Sequence, residues 1–450
     1  MSNHYRPSRR QFLQAVAAGA AVSPFMASRP GAAQTPLIRH ASIGGSGMGF
    51  ADIRAFAKHP SFELVAVADV DLSRVERVKE LFPEARVYQD WRELLEKERG
   101  QLDSVNVSTP DHMHAPIAMT AMREGLHVYV QKPLAATLRE TRKLTEYARS
   151  RRLVTQMGIQ VSSAPTQRAA EALIRAGAIG KVREVHTVCD KSWGAEGLLP
   201  AVTSPVPPTL AWDQWLGVGE ARLYQHGAYH PSEWRRRVGF GTGTLGDMGC
   251  HIVSPPFRAL ALQAPLSVTS FGPAPTRDNW PVRSRVRYVF GGTPLTEGDT
   301  VEFWWYDGEE RPPGRVVDLA GEPMPKNGSV TIGTDGVLVL PHIDEPRLLP
   351  ADRFSTYEMP SVEPRDHYAE FLDAVAATKA GTDRGLLVRP SASFDYTGPL
   401  TETVLLGTVA AWYPHETLEW DARGMKVRNR KDAKAHVERE YRKGWRVKGL

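Results

Sequence analysis

Arg39-His40-Ala41-Ser42-Ile43-Gly44-Gly45-Ser46-Gly47-Met48-Gly49, residues 39–49, decides how the rest of the chain is read. A short strand-forming run meets a cluster of glycines, and Phe50 to His59 then has the composition of a helix that Pro60 ends. Phe62 to Ala68 follows as a buried strand closing on Asp69. Strand, glycine turn, helix and strand are the setting in which such glycines read as a dinucleotide fingerprint. Gly44 permits the tight turn and Gly49 lets the helix pack on the strand. A pyrophosphate would then rest on the helix start near Gly47 and Met48, where free N–H groups favour an anion. In a G-x-G-x-x-G alignment the middle position is Ser46, which either donates to a phosphate or pushes the cofactor outward. Asp69, 25 residues after Gly44, is placed to accept both ribose hydroxyls and to repel a 2′-phosphate. NAD is therefore expected over NADP. Asp71 is an alternative for that task, and Arg74 keeps NADP open.

The alternation of helix and strand continues. Trp91 to Lys97 reads as a helix and Asp103 to Val107 as a strand, ending at Ser108-Thr109-Pro110-Asp111-His112-Met113-His114. Another helix leads to His127 to Val130 and then Gln131-Lys132-Pro133. Ligands of a doubly wound sheet lie beyond the carboxyl ends of its strands. Ser108, Thr109, Pro110, His112, His114, Gln131 and Lys132 are thus candidates for cofactor contact. His112 and His114 lack carboxylate or cysteine partners at ligand spacing, so they are expected to cap structure or touch the cofactor, and no metal site is expected.

At 450 residues the chain has room for two cored domains. Its net charge of +5 is concentrated at the ends. Residues 421–450 hold eleven Lys and Arg against four Asp and Glu, and residues 1–33 hold four Arg and no acid, which leaves the body mildly acidic. That distribution argues against a nucleic-acid partner, and residues 421–450 read as a solvated basic tail. Cys189 and Cys250 have no metal spacing and read as buried thiols, with one disulfide as the alternative. Ser8-Arg9-Arg10-Gln11-Phe12-Leu13, the apolar run Ala15 to Met26 and the small residues Gly31 to Ala33 have the parts of a cleavable signal, residues 1–33, cut between Ala27 and Gln34. The paired arginines resemble a twin-arginine signal. That resemblance implies export of a folded protein through the twin-arginine translocase to the periplasm or beyond, with its cofactor loaded beforehand.

Val128-Tyr129-Val130-Gln131-Lys132-Pro133 and Gly241-Thr242-Gly243-Thr244-Leu245-Gly246-Asp247-Met248-Gly249-Cys250-His251 carry a second resemblance. With them the chain is similar to the Gfo/Idh/MocA family, named for glucose–fructose oxidoreductase, inositol dehydrogenase and a rhizopine-catabolism protein. The similarity runs from the signal to Glu440-Tyr441-Arg442-Lys443-Gly444-Trp445. Family members commonly read Glu-Lys-Pro where this chain has Gln131. An exported subgroup resembles this chain in Gln-Lys-Pro, in Thr155 to Gly158 and in Ala176 to Gly180. Members often carry an Asp where Ser254 stands. The resemblance implies a Rossmann domain over residues 36–158 and a substrate-binding α/β domain over 159–420, built on a large, mostly antiparallel open sheet. Arg285 to Phe290, Thr300 to Tyr306 and Gly336 to Leu340 read as strands of that sheet. In the family such a sheet often forms an oligomer interface, so a homo-oligomer is expected.

Asp247 and His251 are four apart and share a face of any helix that begins near Gly246. The resemblance assigns Lys132, Asp247 and His251 to catalysis. Oxidising a secondary alcohol needs a base near neutrality, for which His251 is the candidate. Lys132 would stabilise charge on the reacting oxygen, and Asp247 would orient the imidazole or bind a neighbouring hydroxyl. Lys191-Ser192-Trp193 and the segment Tyr229, His230, Trp234 and Arg235 are candidates for lining a sugar pocket. Three readings follow. The first is an exported NAD(P)-dependent oxidoreductase acting on a sugar or polyol. The second is a redox-neutral enzyme that cleaves glycosides by transient ring oxidation, elimination, hydration and re-reduction. The third is a non-catalytic carbohydrate-binding protein, against which the set Lys132, Asp247 and His251 argues.

Overall fold

Six short apolar runs form a wholly parallel sheet, and their order explains where a ligand must sit. They are β1 (Ile38–Ile43), β2 (Phe62–Ala68), β3 (Arg86–Tyr88), β4 (Ser104–Val107), β5 (His127–Gln131) and β6 (Thr155–Gly158), arranged 3-2-1-4-5-6. This is the computed structural model of the chain, and it describes residues 36–321, 323–381 and 389–450. The expected signal, residues 1–33, lies outside the described residues. The strand order reverses between β1 and β4, which opens a crevice beyond their carboxyl ends. The helix after the glycine turn spans Met48–Phe56, starting before Phe50 and ending before His59, because the turn residues already enter helical geometry.

The second sheet has nine strands: β7 (Val182–Cys189), β8 (Ser267–Ser270), β9 (Ser284–Gly291), β10 (Thr300–Asp307), β11 (Asn327–Gly333), β12 (Val337–Pro341), β13 (Arg347–Leu349), β14 (Thr417–Asp421) and β15 (Lys426–Val427). Their order is 13-12-11-7-10-9-8-14-15, and only β7 and β10 run parallel. Alternation along β9 is clean. Val286, Tyr288 and Phe290 point into the core while Arg285 and Arg287 face outward. The helices Gly243–Ile252 and Phe394–Ala410 pack against one another over this sheet. Leu245, Val404 and Leu405 join Tyr288 and Trp305 in one hydrophobic core. Cys189 and Cys250 are both free and buried.

Two boundaries differ from the sequence reading. The helix His367–Lys379 returns to the first domain, where Phe371, Leu372 and Val375 pack with Ile38, Phe56 and Tyr129. The substrate domain is therefore not a continuous stretch from 159 to 420. The segment 421–450 is likewise no free tail. Its cations remain outside, but Met425, Val427, Ala433, Val437 and Trp445 are buried. Tyr441 donates to Glu140 at 2.7 Å, and Arg442 pairs with Asp213 and donates to the carbonyl of Gly217 at 3.0 Å. The indole of Trp445 lies under the guanidinium of Arg92 at 4.2 Å. The end of the chain is thus a strap fastened to both domains.

Trp445→Ala should lower unfolding free energy by about 3 kcal/mol, the low end for emptying a buried aromatic site. Denaturant titration checks this, and a change under about 0.5 kcal/mol would show that the strap is only a covering.

Candidate active site

The glycine turn comes first because its backbone sets the width of the cleft. Gly44 has a φ of 105°, and a Cβ there would stand 2.5 Å from the carbonyl oxygen of Ser108. A Cβ at Gly49 would strike the carbonyl of Gly44. Both positions therefore admit only glycine, one for the turn and one for helix packing. Gly47, with a φ of 53°, faces open space and precedes a helix whose start has no side-chain cap. The N–H of Gly49 donates to the carbonyl of Ser46 at 3.0 Å, and with no side chain capping the helix start an anion such as a pyrophosphate has room there. On this observation the residues present fit a dinucleotide.

From this turn a cleft of about 470 Å³ runs past Asp69 and Arg74 to Lys132, Trp234 and Arg235. Ser108, Thr109, Pro110 and Gln131 line it as well. Asp69 accepts from the N–H of Gly45 at 2.9 Å and of Asp71 at 3.0 Å. Burial raises its pKa, and these two N–H groups oppose the shift. Its free lone pairs face the cleft where a ribose would lie. Ser46 settles its role locally by accepting from Arg74 at 3.0 Å, so its hydroxyl tethers that guanidinium.

Gln131 is fixed by a buried carboxylate that the sequence reading missed. Its side-chain amide donates to Asp52 at 2.9 Å, and Ser108 and Tyr368 donate to the same carboxylate at 2.7 and 2.8 Å. Burial pushes the Asp52 pKa up to about 6 against these hydrogen bonds. The available signal was an acid inside the apolar stripe Phe50, Ile53 and Phe56. The lost glutamate of the Glu-Lys-Pro motif thus has a carboxylate directly behind its replacement.

The catalytic candidates do converge. The helix Gly243–Ile252 carries both Asp247 and His251. Asp247 receives Lys132 from the end of β5 and Arg235 at 3.4 Å. Burial disfavours its charge, but Lys132 and Arg235 overcome that and hold its carboxyl well below the usual range. Lys132 and Arg235 stand on the cleft wall, with Asp247 behind them. His251 lies one turn further along. Its Nδ1 is buried without a hydrogen-bond partner among the described residues. Burial, then the charge of Lys132 and His342, push its pKa well below 6.5, so its imidazole is neutral at ordinary pH. A second missed acid, Asp111, accepts from Thr242 at 2.7 Å, and burial pushes it up to about 7.

Several candidates fall elsewhere. His112 is not in the cleft. It packs against Trp215 and Phe240, with Nε2 at 3.0 Å from the carbonyl of Trp215, because it lies on the buried face of its helix. His114 sits between the carbonyls of Pro133 (2.7 Å) and Thr109 (2.8 Å) without lining the cleft, and with burial pushing its pKa down to about 4 the neutral ring donates to one of them. Tyr229 is core, its ring meeting those of Trp215 and Phe240 edge-on and that of Trp212 at a tilt. His230 lines the cleft, but at its adenosine end, 3.0 Å from Asp71. Ser254 is buried and bonded to Tyr396 at 2.8 Å. Trp193 and Trp234 flank Arg235, whose guanidinium sits 5.4 and 4.4 Å from their rings.

Comparison with known proteins agrees with this geometry. Residues 38–159 match the Gfo/Idh/MocA model, described as an oxidoreductase family with an NAD-binding Rossmann fold. The first domain is thus similar to the NAD-binding Rossmann domain of that family. Over 221 residues the chain is 24% identical to levoglucosan dehydrogenase of Pseudarthrobacter phenanthrenivorans, covering 47% of this chain and 48% of that one. Over 121 residues it is 34% identical to an α-N-acetylgalactosaminidase of Shewanella oneidensis, covering 25% of this chain and 26% of that one. The chain thus matches about half or less of each of these relatives. Across both sheets it superposes on an inositol dehydrogenase homologue of Azotobacter vinelandii complexed with NAD+, with a TM-score of 0.60 at 19% identity, covering 86% of this chain and 98% of that one. The fold of both sheets is therefore shared with that structure.

Asp69→Ala should weaken NAD binding more than NADP binding, because the lost carboxylate selects for a free 2′-hydroxyl. Fluorescence titration checks this, and a wild type that already prefers NADP would contradict the assignment. Lys132→Ala and His251→Ala should each lower turnover at least about a hundredfold with cofactor occupancy retained. In the wild type, the depressed His251 pKa leaves the neutral base intact as pH falls to 6.5, so the acid limb due to this residue lies below that value. A limb centred at an ordinary histidine pKa that vanishes in His251→Ala would contradict the geometry.

Proposed function

We propose that the protein is an exported, NAD-dependent oxidoreductase that acts on a secondary hydroxyl of a sugar or polyol. The observation that carries this reading is the Lys132–Asp247 ion pair at the mouth of a dinucleotide-shaped cleft, with the neutral His251 beside it. Lys132 donates to the reacting oxygen and stabilises charge as the O–H proton leaves. His251, a neutral imidazole one turn along the helix from Asp247 and set back from the cleft lining, is the base for that proton. Asp247 fixes the ammonium and stabilises the imidazolium that results. The bound nicotinamide supplies the hydride acceptor. Trp234 and Arg235 line the cleft beyond Lys132, with Trp193 against the guanidinium of Arg235.

Export rests on Ser8 to Leu13 and on the small-residue exit after Met26. An exported enzyme has no soluble nicotinamide pool to recharge it, so the cofactor is retained and each cycle returns it to its starting state. Two schemes meet this condition. One couples oxidation of one sugar to reduction of another. The other is the oxidise–eliminate–hydrate–reduce route to glycoside cleavage, which the similarity to the Shewanella oneidensis α-N-acetylgalactosaminidase favours as a second reading.

The test is purification from the exported fraction, with Arg9→Lys/Arg10→Lys as the non-exported control, followed by multiple-turnover assays without added cofactor. Copurified nicotinamide and sustained turnover support a closed cycle, and release of free sugar from glycosides selects the second scheme. Apo-protein that consumes NAD stoichiometrically and releases NADH would restore a simple dehydrogenase.

A further inference from the structure

Asp52 is buried behind the cleft wall, where an unpaired carboxylate would be costly. Four short contacts hold it. Tyr368 and Gln131 donate to Oδ1 at 2.8 and 3.0 Å, and Ser108 and Gln131 donate to Oδ2 at 2.7 and 2.9 Å. Burial pushes its pKa up to about 6, so at neutrality it is an anion and can only accept. That dictates which way the amide of Gln131 turns. Its NH2 group faces Asp52, and its carbonyl Oε1 faces the other way. Space pins the side chain as well, because a Cβ at Gly158, the last residue of β6, would stand 2.7 Å from the amide carbon. Among the described residues Oε1 accepts no hydrogen bond, and Gln131 is part of the cleft wall. Ser108 is already spent: its hydroxyl donates to Asp52 and accepts from Asn106 at 2.8 Å.

Gln131 closes β5, on the far side of the strand-order reversal from β2 and Asp69. A dinucleotide straddles that reversal, with one mononucleotide on each side. Asp69 and Arg74 line the adenosine side of the cleft, so Gln131, next to Lys132, meets the nicotinamide nucleotide. That nucleotide carries donors, a carboxamide NH2 and two ribose hydroxyls, which a carbonyl oxygen accepts. We infer that Asp52 is a positioning residue, which orients Gln131 so that Oε1 accepts from the nicotinamide nucleotide of the bound cofactor. The inference rests on the dinucleotide reading of the cleft and is independent of the sugar chemistry proposed above. Asp52→Asn would offer the Gln131 amide both a donor and an acceptor, and its orientation would no longer be dictated.

The experiment is calorimetry of the full-length protein, dialysed free of cofactor, with NAD and with ADP, which shares the adenosine and pyrophosphate but lacks the nicotinamide nucleotide. Asp52→Asn should weaken NAD roughly three- to tenfold, the worth of one hydrogen bond, and leave ADP unchanged. Gln131→Met, which removes Oε1 directly, should do the same. Tyr368→Phe takes a different donor from Asp52 and should keep the wild-type ratio of NAD to ADP affinity, whatever it does to stability. Gln131→Glu sets two carboxylates against each other and should weaken NAD. Combined with Asp52→Asn it exchanges amide and carboxylate, and the pair should bind NAD more tightly than Gln131→Glu alone. A merely structural Asp52 would weaken both ligands alike and gain nothing from the exchange. Equal weakening of NAD and ADP in Asp52→Asn, or wild-type NAD affinity in Gln131→Met, overturns the inference. A wild type that binds neither NAD nor ADP would sink the dinucleotide reading, and the inference with it.

Discussion

One carboxylate holds the site together. Asp247 reaches from the helix of the second domain to Lys132 just after β5, and so ties the sheet that shapes the cofactor cleft to the helix layer of the second sheet. Its neighbours make that pair more than a surface contact. Buried at 8% exposure, it would be disfavoured as an anion without its two cations, and removal of either leaves charge unpaired in a poorly solvated place. The fold is arranged around this requirement. Thr242 just before the helix bonds Asp111 at the start of the helix that follows β4, so the loops after β4 and β5 and the helix Gly243–Ile252 are fixed as one unit.

The cofactor end obeys a different constraint, that of space. Gly44 and Gly49 allow two backbones to meet where any side chain would collide, and Asp52 beneath them anchors Ser108 and Gln131 from the two neighbouring strands. A single buried carboxylate with three donors keeps the floor of the cleft in one conformation. His114 packs between the loop carbonyls of Thr109 and Pro133 and donates to one of them.

The local parts of this arrangement were legible in the sequence and the remote parts were not. The strand Phe62–Ala68 ends just before Asp69 as its apolar run indicates, and the four-residue spacing of Asp247 and His251 places both on one helix. Those readings depend on period and punctuation, which neighbouring residues determine. Tyr229 and His230 show the limit. They are adjacent in sequence, yet one enters an aromatic core and the other meets Asp71 across a separation that no local pattern encodes. His112 was misplaced for a related reason: position after a strand suggests the crevice, but helical phase turns its ring inward. The strap at 421–450 was obscured by composition, because its many cations conceal the few apolar residues that anchor it.

In the proposed reaction a hydride passes from a sugar carbon to a retained nicotinamide, with Lys132 and His251 managing the proton. The most direct measurement is isotopic. A sugar that the enzyme turns over is deuterated at its reacting carbon, mixed with the cofactor-loaded protein, and the bound nicotinamide is released and weighed by mass spectrometry before turnover completes. The account predicts deuterium on the nicotinamide ring in the wild type and its loss in Lys132→Ala. Turnover of the deuterated sugar with no label ever reaching the cofactor would contradict it.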